Sequence, residues 1–281
     1  MKISVVTVCH NSSSTLPDAI ESVARQRRGG FEVEHVVVDG GSTDGTVELL
    51  ESRQVTKWVS ERDEGTYDAM NKGIRMATGD VVGILNADDV LADDGTLEAV
   101  AAAFADESVD AVYGDVRFVA QDLVSVDAVR SGRVRRYCTA RYWRPWMFRF
   151  GAMVPHPSFY CRRRLFDRLG FYEHGLYPKS ADFDLELRFI RLAGVRTRYL
   201  GRCMVVMRSG GQSTTFDNNR FNREDLASLR SHGIWSAMWL IQLKYLFKIW
   251  GFVVPRLSEG RVSPKATVPR TTLTTTQEER R

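Results

Sequence analysis

The sequence predicts an α/β fold on a doubly wound, mostly parallel sheet, and three observations carry that expectation. Short apolar runs rich in β-branched residues alternate with helical patterns through the first hundred residues, the rhythm of βαβ units. Each run is followed by a polar cluster, as at the carboxyl ends of parallel strands, where such sheets bind ligands. The 281 residues are 43% hydrophobic and 26% charged, enough to cover a sheet on both faces in one large domain or two small ones.

Ile3 to Cys9 is the first buried strand, and Thr15, Pro17 and Asp18 mark the start of a helix with Ala19, Ile20 and Val23 facing inward. Glu34 to Val38 and Thr56 to Val59 are the next strands, with a helix from Thr46 to Glu51 between them. Tyr67, Met70, Ile74 and Ala77 fall at helical spacing, Val81 to Leu85 is a further strand, and Thr96 to about Ala105 a further helix.

After about Gly114 the rhythm breaks. Arg130 to Phe150 holds seven arginines and no acid, interleaved with Tyr137, Tyr142, Trp143, Trp146, Phe148 and Phe150. This suits a membrane or lipid-diphosphate surface, with a solvated loop or nucleic-acid binding as the alternatives. Ile234 to Val254 is apolar, with only Lys244 and Lys248 charged, and its three tryptophans suit a helix lying in a membrane interface; a core helix or a span of about 20 residues is the alternative. The tail beyond Ser258 is Thr- and Arg-rich and expected to be disordered. Domain limits follow: 1–225 for the catalytic unit (1–120 and 121–225 as its halves), 226–257 for a membrane-contacting helix, and 258–281 for the tail. The net charge of +4 decides little. Four scattered cysteines read as reduced thiols in a cytosolic protein, and the N-terminus shows no signal-peptide pattern.

Four clusters follow the strands: Thr7-Val8-Cys9-His10-Asn11, Asp39-Gly40-Gly41-Ser42-Thr43-Asp44, Glu61-Arg62-Asp63-Glu64-Gly65, and Asn86-Ala87-Asp88-Asp89. A parallel sheet brings them to one edge, where carboxylates repel unless a cation joins them. Mg²⁺ or Mn²⁺ suits, since hard ions take one or two carboxylates plus phosphate oxygens. Read alone, Asp88-Asp89 is equally a turn or a helix cap, and Asp39-Gly40-Gly41 equally a turn. Such acidic clusters argue against nucleic acid as a partner.

These stretches, together with Gly65-Thr66-Tyr67-Asp68-Ala69-Met70-Asn71-Lys72-Gly73 and Ala77-Thr78-Gly79-Asp80, resemble family 2 glycosyltransferases of the GT-A fold. The subgroup is the one that builds bacterial surface polysaccharides and glycolipids. The resemblance implies that Asp39 holds the base of a nucleotide diphosphate sugar and that Asp63 lies beside the nucleotide. Thr7, Cys9, Asn11, Asn71, Lys72, Asn86 and Ala87 would line the same pocket. Asp88, helped by Asp89, would bind the metal, although Asn86 stands where the family's Asp-x-Asp motif has its first acid. Ser180 to Arg188 resembles the family's acidic acceptor-side helix, which makes Asp182 the catalytic base and Asp184 its rival. Ala181 replaces the usual preceding Glu. His156, Asp184 and Arg188 fall on the acceptor side.

The expected reaction is an inverting displacement from a UDP-sugar, or another nucleotide sugar, onto a saccharide or lipid-linked acceptor. It would take place peripherally on the inner face of the cell membrane. A sugar-nucleotide pyrophosphorylase would need a Gly-rich basic loop where Cys9-His10-Asn11-Ser12 stands, and a non-catalytic protein of the same fold is the other reading.

Overall fold

The computed structural model describes residues 1–53, 55–210 and 218–243. The tail expected to be disordered, and the apolar segment beyond Leu243, lie outside them. The first half delivers the predicted rhythm: β1 (Lys2–Cys9), α1 (Leu16–Ala24), β2 (Glu32–Asp39), α2 (Thr46–Ser52), β3 (Lys57–Ser60), α3 (Thr66–Met76), β4 (Val81–Asn86), β5 (Val90–Leu91) and α4 (Thr96–Phe104). The second half contains β6 (Ala111–Val119), α5 (Val126–Ser131), β7 (Arg136–Cys138), β8 (Tyr160–Arg162), α6 (Arg164–Leu169), α7 (Ala181–Glu186), β9 (Thr197–Arg208), α8 (Asn218–Ser231) and α9 (Met238–Gln242).

The strands form one sheet in the order β3-β2-β1-β4-β8-β6-β9-β5, with β7 paired to β6. β1 lies parallel to both β2 and β4, and β2 to β3, so the chain winds outward from β1 in both directions and places a switch point between β1 and β4. "Mostly parallel" needs correcting beyond that. β8 runs antiparallel to β4 and β6, β5 to β9 and β7 to β6, while β6 and β9 are parallel, so the whole sheet is mixed.

The strands' apolar runs are continuous because both faces are covered. Val6, Val8, Val36, Val38 and Ile84 pack on Ala69, Met70 and Ile74 of α3 and on Phe148, Phe183 and Leu187. Ile3, Val5, Val81 and Leu85 face the other way, onto Ala19 and Val23 of α1 and Leu97, Val100 and Phe104 of α4. Helix α3 lies so close to β1 that a Cβ at Gly73 would collide with the Val6 side chain.

Two boundaries differ from expectation. Helix α8 runs straight through 225/226, because Leu226 and Leu229 bury in the main core. The helix expected from Ile234 begins only at Met238: Ile234 to Ala237 lie outside any helix, with Ser236 tied to the carbonyl of Arg149 at 2.8 Å. Among the described residues no helix is long and apolar enough to cross a membrane.

Candidate active site

Register brings the predicted clusters together. Cys9 lies opposite Asp39, Asp39 opposite Ser60, and Val8 opposite Asn86, so four strand ends line one edge. With strands about 4.8 Å apart, Ser60 to Asn86 spans roughly 14 Å. The first two loops then clasp each other. The Asn11 backbone N–H donates to Ser42 Oγ (2.7 Å), and the side-chain Oδ1 of Asn11 accepts from the Thr43 backbone (3.0 Å). Ser13 donates to Asp44 (3.0 Å). Asn11 sits at φ 49°, a left-handed conformation that asparagine tolerates.

Asp39 is fully buried at the end of β2. Its Oδ2 accepts from the backbones of Gly41 (3.1 Å) and Ser42 (2.9 Å) and from Ser60 Oγ (2.7 Å), and its Oδ1 from the Ser42 hydroxyl. Burial, the largest single influence, opposes its charge, but these bonds outweigh it and hold the carboxyl below its usual value. A base or ribose reaching Asp39 must therefore compete with Ser42 and Ser60. Asp63 closes over the same loop: a Cβ at Gly40 would stand 2.6 Å from Asp63 Oδ2 and 3.5 Å from His10 Nδ1, so glycine allows the close approach. Lys72 reaches back to the Arg62 carbonyl (2.9 Å) and to Glu61 (3.0 Å) on the rim of this loop.

The Asn86–Asp89 turn is pinned from below. Ala87 packs with Cys9, Leu16 and Ile20. Arg208, at the end of β9, donates to the Asp88 carbonyl (2.8 Å) and pairs with the buried Asp18 of α1. Asn86 Nδ2 donates to Asp89 Oδ2 (2.9 Å), while Asp89 Oδ1 is buried without a hydrogen-bond partner. Burial pushes both carboxyls upward, Asp89 further because Asp88 is beside it. An orphaned oxygen next to a second carboxylate suits a hard cation. Among the described residues no group of three or more His, Cys, Asp or Glu surrounds a common point. Asp88, partly exposed, and the unpartnered Asp89 oxygen are donors of the type that an Mg²⁺ or Mn²⁺ ion would take.

The acceptor side meets this edge through α3. Tyr67, in its first turn, donates to Asp182 Oδ1 at 2.8 Å, and the Phe183 backbone donates to the same oxygen at 2.9 Å. The Tyr67 ring stacks on Tyr172 at 5.5 Å, and the Tyr172 hydroxyl lies 2.7 Å from His156 Nε2. Of the three acids on α7, Asp182 is partly exposed, whereas Asp184 and Glu186 are fully buried. Both Glu186 oxygens lack a hydrogen-bond partner, and burial, reinforced by Asp182, pushes this carboxyl well up.

Several expected site residues do other work. Thr7 is fully buried two residues below the strand end, its hydroxyl 2.9 Å from His35, so it cannot line the pocket. Cys9 is nearly buried with its thiol pushed up, first by burial and then by Asp39. Asn71 clamps the backbone of Tyr172 on both sides, at 2.9 and 3.0 Å, and offers nothing to a nucleotide.

Asp184 accepts from Ser228 (2.8 Å), Arg188 (2.7 Å) and His232 (3.0 Å), which removes it as a rival base. Arg188 also binds the carbonyls of Leu169 and Phe171, so this pair knits α7 to its neighbours rather than touching an acceptor. His156 is buried behind Tyr172 and driven towards its neutral form by burial, against the pull of Asp182. Sequence reasoning missed Tyr67, Tyr172 and Arg208. Only Tyr67 carried a signal, standing directly after the third polar cluster.

Residues 4–170 match the model of the family described as Glycosyl transferase family 2. The chain belongs to this family. A PGL/p-HBAD biosynthesis glycosyltransferase of Mycobacterium bovis is 33% identical over 230 residues, 78% of this glycosyltransferase and 81% of the relative. Among solved structures, the mannosyltransferase PcManGT of Pyrobaculum calidifontis, in complex with GDP-Man and Mn2+, superposes with a TM-score of 0.59 at 18% identity. It covers 93% of this chain and 76% of that one. S. aureus TarS 1-349 in complex with UDP-GlcNAc gives 0.57 at 18% identity, covering 94% and 77%. The glycosyltransferase thus has the GT-A fold expected from its motifs.

Proposed function

We propose that this glycosyltransferase moves a sugar from a nucleotide diphosphate sugar, UDP-linked by preference, to a saccharide or lipid-linked acceptor, with inversion at the anomeric carbon. One observation carries the reading. Asp182 is the single carboxylate of α7 that solvent reaches, and Tyr67 ties it to the helix that starts where the third strand-end loop stops. Tyr67 and the Phe183 backbone bind Oδ1, and Oδ2 is the oxygen we assign to the acceptor hydroxyl.

Asp182 takes the hydroxyl proton as the acceptor oxygen bonds to the anomeric carbon. The bond from that carbon to the phosphate oxygen breaks, and the nucleoside diphosphate leaves with its electron pair. Asp39 and Asp63 hold the nucleoside end, while Asn11 and Lys72 shape the loops around it. When bound at Asp88 and Asp89, Mg²⁺ or Mn²⁺ offsets the charge that builds on the departing diphosphate. Arg208 keeps the backbone of that turn in place.

The glycolipid role is supported by the relative named for PGL/p-HBAD biosynthesis, and the donor class by the UDP-GlcNAc and GDP-Man held in the two solved structures. A cytosolic location on the inner face of the membrane, with the C-terminal apolar segment in contact with lipid, completes the proposal. The test is a panel of nucleotide sugars, read by release of nucleoside diphosphate and by NMR of the product anomer. Inverted product with one donor, lost in excess EDTA and restored by Mn²⁺, is the expected result. A retained anomeric configuration, or full turnover in EDTA, contradicts it.

A further inference from the structure

Two stretches distant in sequence make one surface. Pro145–Phe150 form a short 3₁₀ turn, and Ser236, just before α9, bonds the Arg149 carbonyl at 2.8 Å. Their inner faces join the main core: Trp143, Met147 and Phe148 from the first stretch, and Ile234, Met238 and Ile241 from the second. Their outer faces hold every strongly exposed aromatic side chain among the described residues: Tyr142 at 71%, Trp146 at 59%, Trp235 at 71% and Trp239 at 63% exposure. Large aromatics left in water on both sides of a packed junction mark a surface that something covers.

Charge says what covers it. No acid occurs in the sequence between Asp127 and Asp167, or between Asp225 and Glu259. Arg141, Arg144 and Arg149 are exposed among the aromatics. Arg144 binds only the carbonyls of Arg141 and Trp143, and Arg141 lies over the Tyr142 ring at 5.7 Å. Tryptophan and tyrosine beside unneutralised arginine is the composition of a membrane–water interface bearing anionic lipid.

Beneath this surface, a buried contact leads towards the acceptor side. Phe148 meets Phe183 edge-on at 5.5 Å, and Phe183 directly follows Asp182.

We infer that residues 141–150 and 234–239 form one docking face for an anionic bilayer, which presents a lipid-borne acceptor to Asp182. The role of Asp182 rests on the proposed function; the docking does not. The face therefore extends well outside the C-terminal segment, into the basic aromatic turn.

Flotation of the full chain with phosphatidylcholine vesicles, and with vesicles of phosphatidylcholine mixed with anionic phosphatidylglycerol, tests it. The full chain is expected to float with the anionic vesicles alone. Arg141→Ser with Arg149→Ser should weaken that partition about thirtyfold, and Trp146→Ser with Trp239→Ser should weaken it too. Release of nucleoside diphosphate with a water-soluble acceptor should stay unchanged in both variants. Equal flotation with both vesicle types, or undiminished flotation in the arginine variant or in the tryptophan variant, overturns the inference. A chain that floats as expected but turns over no donor contradicts the proposed reaction and leaves the docking face standing.

Discussion

Strands β1 to β4 hold their half of the molecule by register and by apolar runs buried on both faces, whereas the second half depends on buried polar clamps. In the first half two buried carboxylates are well partnered, and only Asp89, in the site's own turn, keeps an oxygen without a partner among the described residues. Glu34 takes bonds from Ser4, Thr78 and Lys57, and Asp39 takes them from its own loop. In the second half Asp184 takes bonds from Ser228 and His232 as well as Arg188, Asp115 gathers Tyr137, Tyr199 and the Ala140 backbone, and neither Glu186 oxygen has a hydrogen-bond partner. The contrast teaches that the nucleotide side is a rigid edge fixed by the sheet. The acceptor side is assembled from long-range contacts that single substitutions can undo.

The sharpest way to break the contrast is Arg188→Met, which leaves Asp184 buried with less compensation. Stability should fall by about 3–5 kcal/mol, read by urea unfolding. A loss under about 1 kcal/mol would mean that the clamp does not hold the half.

Acid probes the first half next. Burial drives His35 down from 6.5 to about 4. A folded value below the unfolded one means that stability is complete above pH 6.5 and lost as pH falls to 4, by about 3 kcal/mol. For Glu34, burial opposes the charge, but Ser4, Thr78 and Lys57 outweigh it and hold the value at about 2 against an ordinary 4.5. A second loss of about 3 kcal/mol therefore falls between pH 4.5 and 2. Urea midpoints across pH should show both steps, and His35→Gln should remove the upper one alone.

Asn71→Ala frees the Tyr172 backbone at the joint between the halves and should cost about 1–3 kcal/mol. Because the Asn71 amide faces Tyr172, nucleotide-sugar affinity per folded molecule should stay unchanged in calorimetry. The smallest effect is expected at Glu186. Its folded value is raised, so its burden on the fold is greatest at high pH and fades as pH falls. Glu186→Met should raise the melting temperature by a few degrees at pH 8 and by less at pH 5.

Much of the first half was legible because its signals are local. Val36-Val37-Val38 followed by Asp39-Gly40-Gly41 announces a buried strand and its loop within a few residues. Strands β6 and β9 were not legible, since Thr197–Arg208 shows no clear alternation and pairs with β6 residues 86 to 89 positions earlier. The site divides the same way. Asp39, Asp63, Asp88 and Asp182 stand at element ends that the sequence marks. Thr7 and Asn71 belong to the same motifs but turn inward, one because strand alternation puts it between buried faces, the other because Tyr172 lies within reach. Nothing near Arg208 in sequence signals that its partners would be Asp18 and the Asp88 carbonyl.

The account turns on donor and acceptor chemistry coming from different halves and meeting at Asp182. Calorimetry with the preferred nucleotide sugar, run beside transfer rates for Asp182→Asn, tests this most directly. Transfer should fall by about a thousandfold while donor affinity stays within about twofold of wild type, a range too small to mark a lost donor contact. Transfer within tenfold of wild type, or donor binding lost together with transfer, would contradict it.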